Sequence, residues 1–301
     1  MASHHILGPV YMIDSPYHGE QGVLSTYLIK SEESMIIDPG PSPAVPGVIA
    51  ELKDLGIHEL RYIALTHVHL DHSGGAWRMV DAFPESEVLV HPKGIEHIVD
   101  PGKLVEAAKL FFGDRFSLYG EIHGVNLMKI SESKEGDIEV GGIALKVVYT
   151  PGHATHCQSF FEPENRILIL GDVCGLYSKR SNLIFPASPP PFNPVKAVES
   201  LDKLILLRPE IVCFSHFGWS YDAVKKLTLY KEQLQLWNRV IAQAVKDRMD
   251  LNQTYDLLIE SDPIFRLAQE GSGNRARAAF PNIVGFAEYS KWALKNEAKP
   301  S

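Results

Sequence analysis

Cysteine is scarce in this chain: three among 301 residues, Cys157, Cys174 and Cys213. An odd number cannot pair off completely, which excludes a full disulfide framework. The last two sit in apolar, strand-like surroundings (ILGDVCGL, PEIVCFSH), the setting of free buried thiols in a reducing compartment. No apolar run approaches the roughly 20 residues that span a bilayer, so no membrane partner is expected. The opening MASHHILGPV lacks the basic stretch and long apolar segment of an export signal, and the expected location is cytoplasmic. Positive charge is not in excess either. Lys and Arg total 29 against 37 Asp and Glu, a net charge of -8, whereas a nucleic-acid surface needs concentrated basic charge. The pairs Lys179-Arg180 and Lys225-Lys226 read as solvated faces or local ligand clamps, and no nucleic acid is expected as a partner. No internal repeat of solenoid length is visible.

What is present is ordinary globular composition, 45% hydrophobic and 22% charged, enough for one large domain or a core with an appendage. GVLSTYLIK and SMIIDPG are strand-like, the second closed by the turn signal Asp38-Pro39-Gly40. Pro43 to Gly56 carries Val45, Val48, Ile49, Leu52 and Leu55 at helical spacing and ends on a glycine suited to a helix C-terminus. Arg61 to Leu65 is a short apolar strand, a helix is expected from about Gly75 to Phe83, and EVLVHP is another strand. Residues 92–119 read as a helical insertion near a site entrance, with Leu104, Val105, Ala108, Phe111 and Phe112 on one face. From Val125 to Val173 strands return, with hairpin signals at Gly141-Gly142 and Pro163-Glu164-Asn165. FPASPPPFNP (185–194) is a stiff loop, because proline fixes φ and removes donors. Pro194 opens a helix through Leu207, and EIVCFSHFG is one more strand. After Gly218 only helical patterns follow. The expected organisation is an α/β domain over 1–219 and a helical C-terminal subdomain over 220–301.

Chemistry concentrates in THVHLDHSGG, residues 66–75. His67, His69, Asp71 and His72 fall within six positions directly after an apolar strand. Imidazole and carboxylate are the ligands that suit zinc, iron or manganese. On an extended backbone His67 and His69 point the same way, while the adjacent Asp71 and His72 point apart, so one segment could serve two ions. A lone loop histidine is ordinarily just hydrogen-bonded; four ligand-type residues at this spacing are not ordinary. Three further candidates stand at ends of expected strands: His153 in VVYTPGHATH, Asp172 in ILILGD and His216 in VCFSHFG. Each alone is unremarked turn chemistry, and their weight comes from recurring in order. His4, His5, His18, His58, His91, His97 and His123 belong to no ligand motif; His156, three residues past His153, is open to a supporting role behind the ligands.

The ordered motifs IIDPG, THVHLDH, TPGH, GD and SHFG, spanning roughly 20–220, resemble those of the metallo-β-lactamase-fold superfamily, in the branch similar to glyoxalase II. The resemblance implies an αββα sandwich with a helical C-terminal extension. It implies His67, His69 and His153 on one metal, Asp71, His72 and His216 on the other, and Asp172 bridging. The cofactors implied are two divalent ions, zinc first, with iron or manganese as the other choices. The implied activity is hydrolysis of a carboxylic ester, thioester or lactone by a metal-bridging hydroxide. Asp71 and Asp172 are the catalytic carboxylates, Asp71 as an orienter or proton acceptor. Asp38 reads equally as a plain turn residue or as a support behind the histidine loop. Tyr177, Phe185, Phe192, Phe217, Trp219 and Tyr221 are candidate pocket aromatics for a small-molecule substrate, and Lys225, Lys226, Arg275 and Arg277 candidate anion grips. The other readings are a phosphodiesterase of small substrates, a mononuclear-iron sulfur dioxygenase, and a non-catalytic ligand-binding protein.

Overall fold

The computed structural model describes residues 2–17, 19–270 and 279–297; His18, Arg275 and Arg277, named above, lie outside them. Chain contacts divide the protein into two compact units. The first comprises Met1–Tyr149, His156–Gly171 and Pro209–Tyr221, the second Thr150–Thr155, Asp172–Arg208 and Asp222–Ser301.

The first unit begins with β1 (Ser3–Leu7), β2 (Val10–Tyr17), β3 (Glu20–Ile29), β4 (Met35–Ile37), β5 (Tyr62–Ala64), β6 (Glu87–Val90) and β7 (Ile130–Glu132). They form one seven-stranded sheet in sequence order, antiparallel through β4 and parallel from β4 to β7. Parallel neighbours need crossover connections, and these supply the helices: α1 (Val45–Asp54), then α2 (Leu70–Ser73) and α3 (Ala76–Ala82), then α4 (Ile95–Val99) and α5 (Gly102–Phe112). Eight strands follow along the chain: β8 (Gly136–Val140), β9 (Ile143–Tyr149), β10 (Gln158–Glu162), β11 (Ile167–Ile169), β12 (Leu176–Ser178), β13 (Leu183–Phe185), β14 (Ile211–Phe214) and β15 (Gly218–Ser220). All but β12 and β13 make a second sheet, ordered β15-β14-β11-β10-β9-β8, in which only β11 and β14 run parallel.

Residue alternation explains how this unit packs. Met35 and Ile37 of β4, with Tyr27 and Ile29 of β3, join Val147, Phe160, Ile169 and Cys213 of the second sheet in one buried cluster. Ile36 and Leu28 face the other way, against Val45, Val48 and Leu52 of α1 and Met79 of α3. Strands covered on both faces read as unbroken apolar runs, which is why MII and YIA carry no polar residue. Each such side chain contributes about 1.5–3 kcal/mol by leaving water. The inserted helices differ: α5 buries none of its residues.

The second unit holds the β12–β13 hairpin and helices α6 (Pro194–Leu206), α7 (Ala223–Lys246), α8 (Leu251–Ser261), α9 (Pro263–Glu270) and α10 (Phe280–Glu297). Tyr230, Leu234, Trp237 and Ile241 of α7 are buried at helical spacing. Asp262 ties this unit together: one carboxylate oxygen accepts from Gln233 Nε2 and Trp237 Nε1, both at 2.8 Å, and the other from the backbone N–H groups of Ile264 and Phe265. Among the described residues, no helix is long and apolar enough to cross a membrane.

The sequence reading missed β1 and β2. SHHIL has no apolar alternation, and VYMIDSPY contains Asp14 and Pro16, which ordinarily break strands.

Candidate metal centre

β5 ends at Ala64, the chain bends at Thr66, and His69 precedes α2 in a β conformation. As expected for alternate residues of an extended segment, the rings of His67 and His69 lie together, Nε2 of the first 3.1 Å from Nδ1 of the second. Asp71 and His72 differ from the expectation. They stand in the single turn of α2, where neighbours diverge by only about 100°, and Asp71 Oδ2 comes within 3.5 Å of His72 Nε2. His216, just past β14, reaches the same carboxylate oxygen at 4.0 Å. One ligand atom from each of Asp71, His72 and His216 therefore falls within 4.8 Å of the others. His67 and His72 are buried, whereas Asp71 and His216 are about one-fifth exposed. These last two form the solvent side of the group.

Asp38 sets the chemistry of these rings. Its backbone is left-handed, φ 54°, a conformation aspartate tolerates better than most residues. Its buried carboxylate accepts from the Thr66 N–H at 2.7 Å and the Thr66 hydroxyl at 2.7 Å, and meets His72 Nδ1 at 3.1 Å. A carboxylate only accepts, so His72 Nδ1 carries the proton and Nε2 presents a lone pair toward Asp71. The Thr66 hydroxyl has given its one proton to Asp38, so His67 Nδ1, 3.1 Å from it, donates in turn. His67 Nε2 is thereby also a lone pair. Ser215 Oγ lies 3.1 Å from the same carboxylate and 2.6 Å from Leu170 O, holding the chain just before His216. The turn role and the supporting role of Asp38 are one role. Gly40 N–H donates to His72 O and Gly75 N–H to Gly40 O, which lashes the DPG turn to the histidine segment. A Cβ on Gly75 would stand 2.9 Å from Gly40 O and 2.3 Å from Val45, so glycine is required there.

In the second unit, His153 is buried and its Nδ1 donates to Ala187 O at 2.8 Å, leaving Nε2 as the lone pair 3.5 Å from Asp172 Oδ2. Asp172 opens the helical turn Asp172–Cys174. The donor set in both units fits a metal. Ligand atoms about 2.0–2.2 Å from a tetrahedral ion lie roughly 3.3–3.6 Å apart, and the pairs here are 3.1, 3.5, 4.0 and 3.5 Å.

The ring of His156 lies 6.4 Å from that of His67 and 6.1 Å from that of His69. Cys174 and Cys213 are free and wholly buried, and burial pushes both thiols well up, which suits packing and not nucleophilic attack. Of the candidate aromatics, Phe192 packs on Phe286 of α10, Tyr177 donates to Asn182 Oδ1, and Phe217 and Trp219 lean on the inter-sheet core. Tyr221 is exposed. Lys226 is buried and donates to Asn182 O at 2.6 Å, so this ammonium is engaged within the hairpin.

Two tyrosines not anticipated from sequence pair with each other. The hydroxyls of Tyr17, at the end of β2, and Tyr119 meet at 2.6 Å. Burial first, then the charge of Asp71, raises both phenols, that of Tyr17 to about 12. They are 102 positions apart, and no local pattern marks them.

The metallo-beta-lactamase superfamily model matches residues 19–216, well over half the chain and a stretch containing all seven candidate ligands. A metallo-beta-lactamase fold-containing protein of Sulfurisphaera tokodaii is 29% identical over 228 residues, 71% of this chain and 82% of that one. A hydroxyacylglutathione hydrolase of Buchnera aphidicola is 28% identical over 192 residues, 62% of this chain and 58% of its own. Among solved structures, an archaeal metallo-beta-lactamase superfamily protein from Sulfolobus tokodaii superposes with a TM-score of 0.65 at 26% identity, covering 76% of this chain and 86% of that one. A family member from Thermus thermophilus shares the fold over 96% of this chain and 95% of its own, with a TM-score of 0.69 and 22% identity. The α/β fold of two mixed sheets with C-terminal helices, the ordered ligand motifs and these matches agree: the chain belongs to the metallo-beta-lactamase superfamily.

Proposed function

We propose that this protein is a two-metal hydrolase of a carboxylic ester, thioester or lactone, related to glyoxalase II in its chemistry. The observation that carries the reading is the ring orientation around Asp38: His67 and His72 are both fixed with Nε2 unprotonated, the form that ligates. His153 has the same protonation through Ala187 O. The proposed ligand sets are His67, His69 and His153 for one ion, Asp71, His72 and His216 for the other, with Asp172 shared. Their support is their order within the family-matched stretch. Zinc suits the nitrogen-rich set best. When bound, such ions lower the pKa of a water and polarise the scissile carbonyl.

The chain's own residues do the rest. Asp71, partly open to solvent, orients the attacking water and takes its proton; Asp38 holds the imidazole tautomers through the cycle. A small-molecule substrate is favoured by the acidic net charge. The buried cysteines Cys157, Cys174 and Cys213, none of them in a disulfide, favour a cytoplasmic setting. A similar protein carries the name hydroxyacylglutathione hydrolase, which supports the thioester class without fixing the thiol.

The test is a panel of thioesters, lactones and aryl phosphodiesters offered to metal-loaded and chelator-treated protein. Metal-dependent turnover of an acyl substrate is expected, and Asp172→Ala should abolish it while the protein stays folded. Turnover confined to phosphodiesters, or near wild-type turnover by Asp172→Ala, would contradict the reading.

A further inference from the structure

The proline-rich loop between β13 and α6 contains a peptide unit that is held from both sides. The Ala187 carbonyl accepts from His153 Nδ1 at 2.8 Å, and the N–H of that same peptide unit, belonging to Ser188, donates to Asn282 Oδ1 at 2.7 Å. A peptide is planar and trans, with its C=O and N–H opposed, so holding one end aims the other. Asn282 stands in the first turn of α10, 94 positions from Ser188. All of these residues belong to the second unit. Ser188 Oγ also donates to Asn282 O at 3.2 Å. A Cβ on Gly285 would stand 1.8 Å from Ser188 O, so the loop reaches α10 only because glycine faces it. Ser188 is wholly buried and Ala187 nearly so, and neither half of the peptide can turn to water. The backbone beside His153 is held separately: Ser200 Oγ donates to Pro151 O at 2.7 Å, and the Asn193 N–H to Gly152 O at 2.9 Å. Were the peptide to turn, the ring would not follow, and Nδ1 would lose its acceptor.

We propose that Asn282 is a positioning residue for His153: its carboxamide oxygen fixes the Ala187–Ser188 peptide, and that peptide fixes the imidazole with Nδ1 protonated and Nε2 bare. The C-terminal helix α10 then serves the ligand as well as the fold. The inference rests on the hydrolase reading above for what Nε2 goes on to do, which is to hold a metal. Hydrogen bonds in series polarise one another, so donation to Asn282 also makes the Ala187 carbonyl a better acceptor. A better acceptor behind Nδ1 makes His153 a more basic ligand. Without the carboxamide oxygen, the buried Ser188 N–H is a donor with no acceptor, a costly state. Rotation toward another acceptor relieves it, and takes the carbonyl away from His153.

The experiment reads the ring-nitrogen chemical shifts of His153 in the isotope-labelled full chain, zinc-loaded and chelator-treated, beside zinc affinity from chelator competition. The signals are assigned by their loss in His153→Gln. Wild type should show Nδ1 protonated in both forms. Asn282→Leu keeps the volume and removes the acceptor. It should give mixed tautomers in the chelator-treated protein and bind zinc about tenfold more weakly, with helicity unchanged. Asn282→Asp keeps an acceptor oxygen, favourable in the first turn of a helix, and should restore both readouts. Gly285→Ala keeps Asn282 and favours the helix but drives Ser188 away; it should move both readouts as Asn282→Leu does. An unchanged tautomer in Asn282→Leu with zinc affinity within about twofold of wild type would overturn the positioning role and leave the hydrolase reading standing. So would an Asn282→Asp protein as impaired as Asn282→Leu. Wild type that binds no zinc, while the tautomer still follows the residue at 282, would sustain the positioning of the ring and overturn the metal reading. Zinc loss seen only together with loss of helicity, in both Asn282→Leu and Gly285→Ala, would overturn the positioning role.

Discussion

Asp38→Asn is the sharpest perturbation of the site, because it changes proton placement and almost nothing else. Asparagine matches aspartate in size and tolerates the left-handed φ of 54°. Its carbonyl oxygen can keep the Thr66 N–H bond. The new NH2 group, however, replaces the oxygen that faces Thr66 Oγ1 and His72 Nδ1. A donor now meets a donor. His72 answers by moving its proton to Nε2, the nitrogen facing Asp71, and the Thr66 hydroxyl turns its lone pair to the amide, weakening its hold on His67. Loss of an orienting partner behind a ligating histidine lowers metal affinity about 10–100-fold, equivalent to about 1.4–2.7 kcal/mol. Two rings are affected here, so the upper end is expected. Chelator competition, read beside a urea titration, measures metal affinity and stability on the same sample. An Asp38→Asn protein that binds metal within twofold of wild type would refute the tautomer argument. Loss of metal only in step with global unfolding would refute it equally.

Other consequences lie away from the metals. Burial lowers His91 to about 4 from an ordinary 6.5. The folded state therefore holds fewer protons on it than the unfolded state between those values, and stability is full above pH 6.5 and falls as the pH drops toward 4. Denaturant titrations across that window should show this slope, and His91→Asn, which keeps an acceptor for Lys93 N–H, should flatten it; equal slopes would count against the cause. Asp262→Ala strands the Trp237 and Gln233 donors and the first N–H groups of α9, so urea denaturation should show a loss of about 3–5 kcal/mol, and a loss below about 1 kcal/mol would mean those groups find other partners.

The parts of this protein that sequence made legible are the parts whose signal is local. THVHLDH marks candidate ligands by spacing alone, and the two-sided apolar runs at Ile36 and Ile63 announce a covered sheet. Asp38 was undecidable from IIDPG, since a left-handed turn aspartate and a buried acceptor leave the same letters; here it is both. Nothing in FSHFG marks Ser215, whose role depends on Asp38, 177 positions earlier. The divergence expected of Asp71 and His72 assumed an extended chain, and one helical turn undid it. The inserted segment is expected to be helical, and α4 and α5 fall within it. Leu104 does pack against the core while Phe111 is left exposed, and helical periodicity cannot tell a face that meets the protein from one that meets water.

The central claim is that these histidines and aspartates are metal ligands. Elemental analysis of the purified protein, wild type beside His69→Ala, tests it most directly. Two ions per chain, zinc foremost, are predicted for the wild type, with a clear fall in His69→Ala at unchanged secondary structure. Full metal content in His69→Ala, or a single iron accompanied by oxygen uptake on a persulfide, would contradict the account.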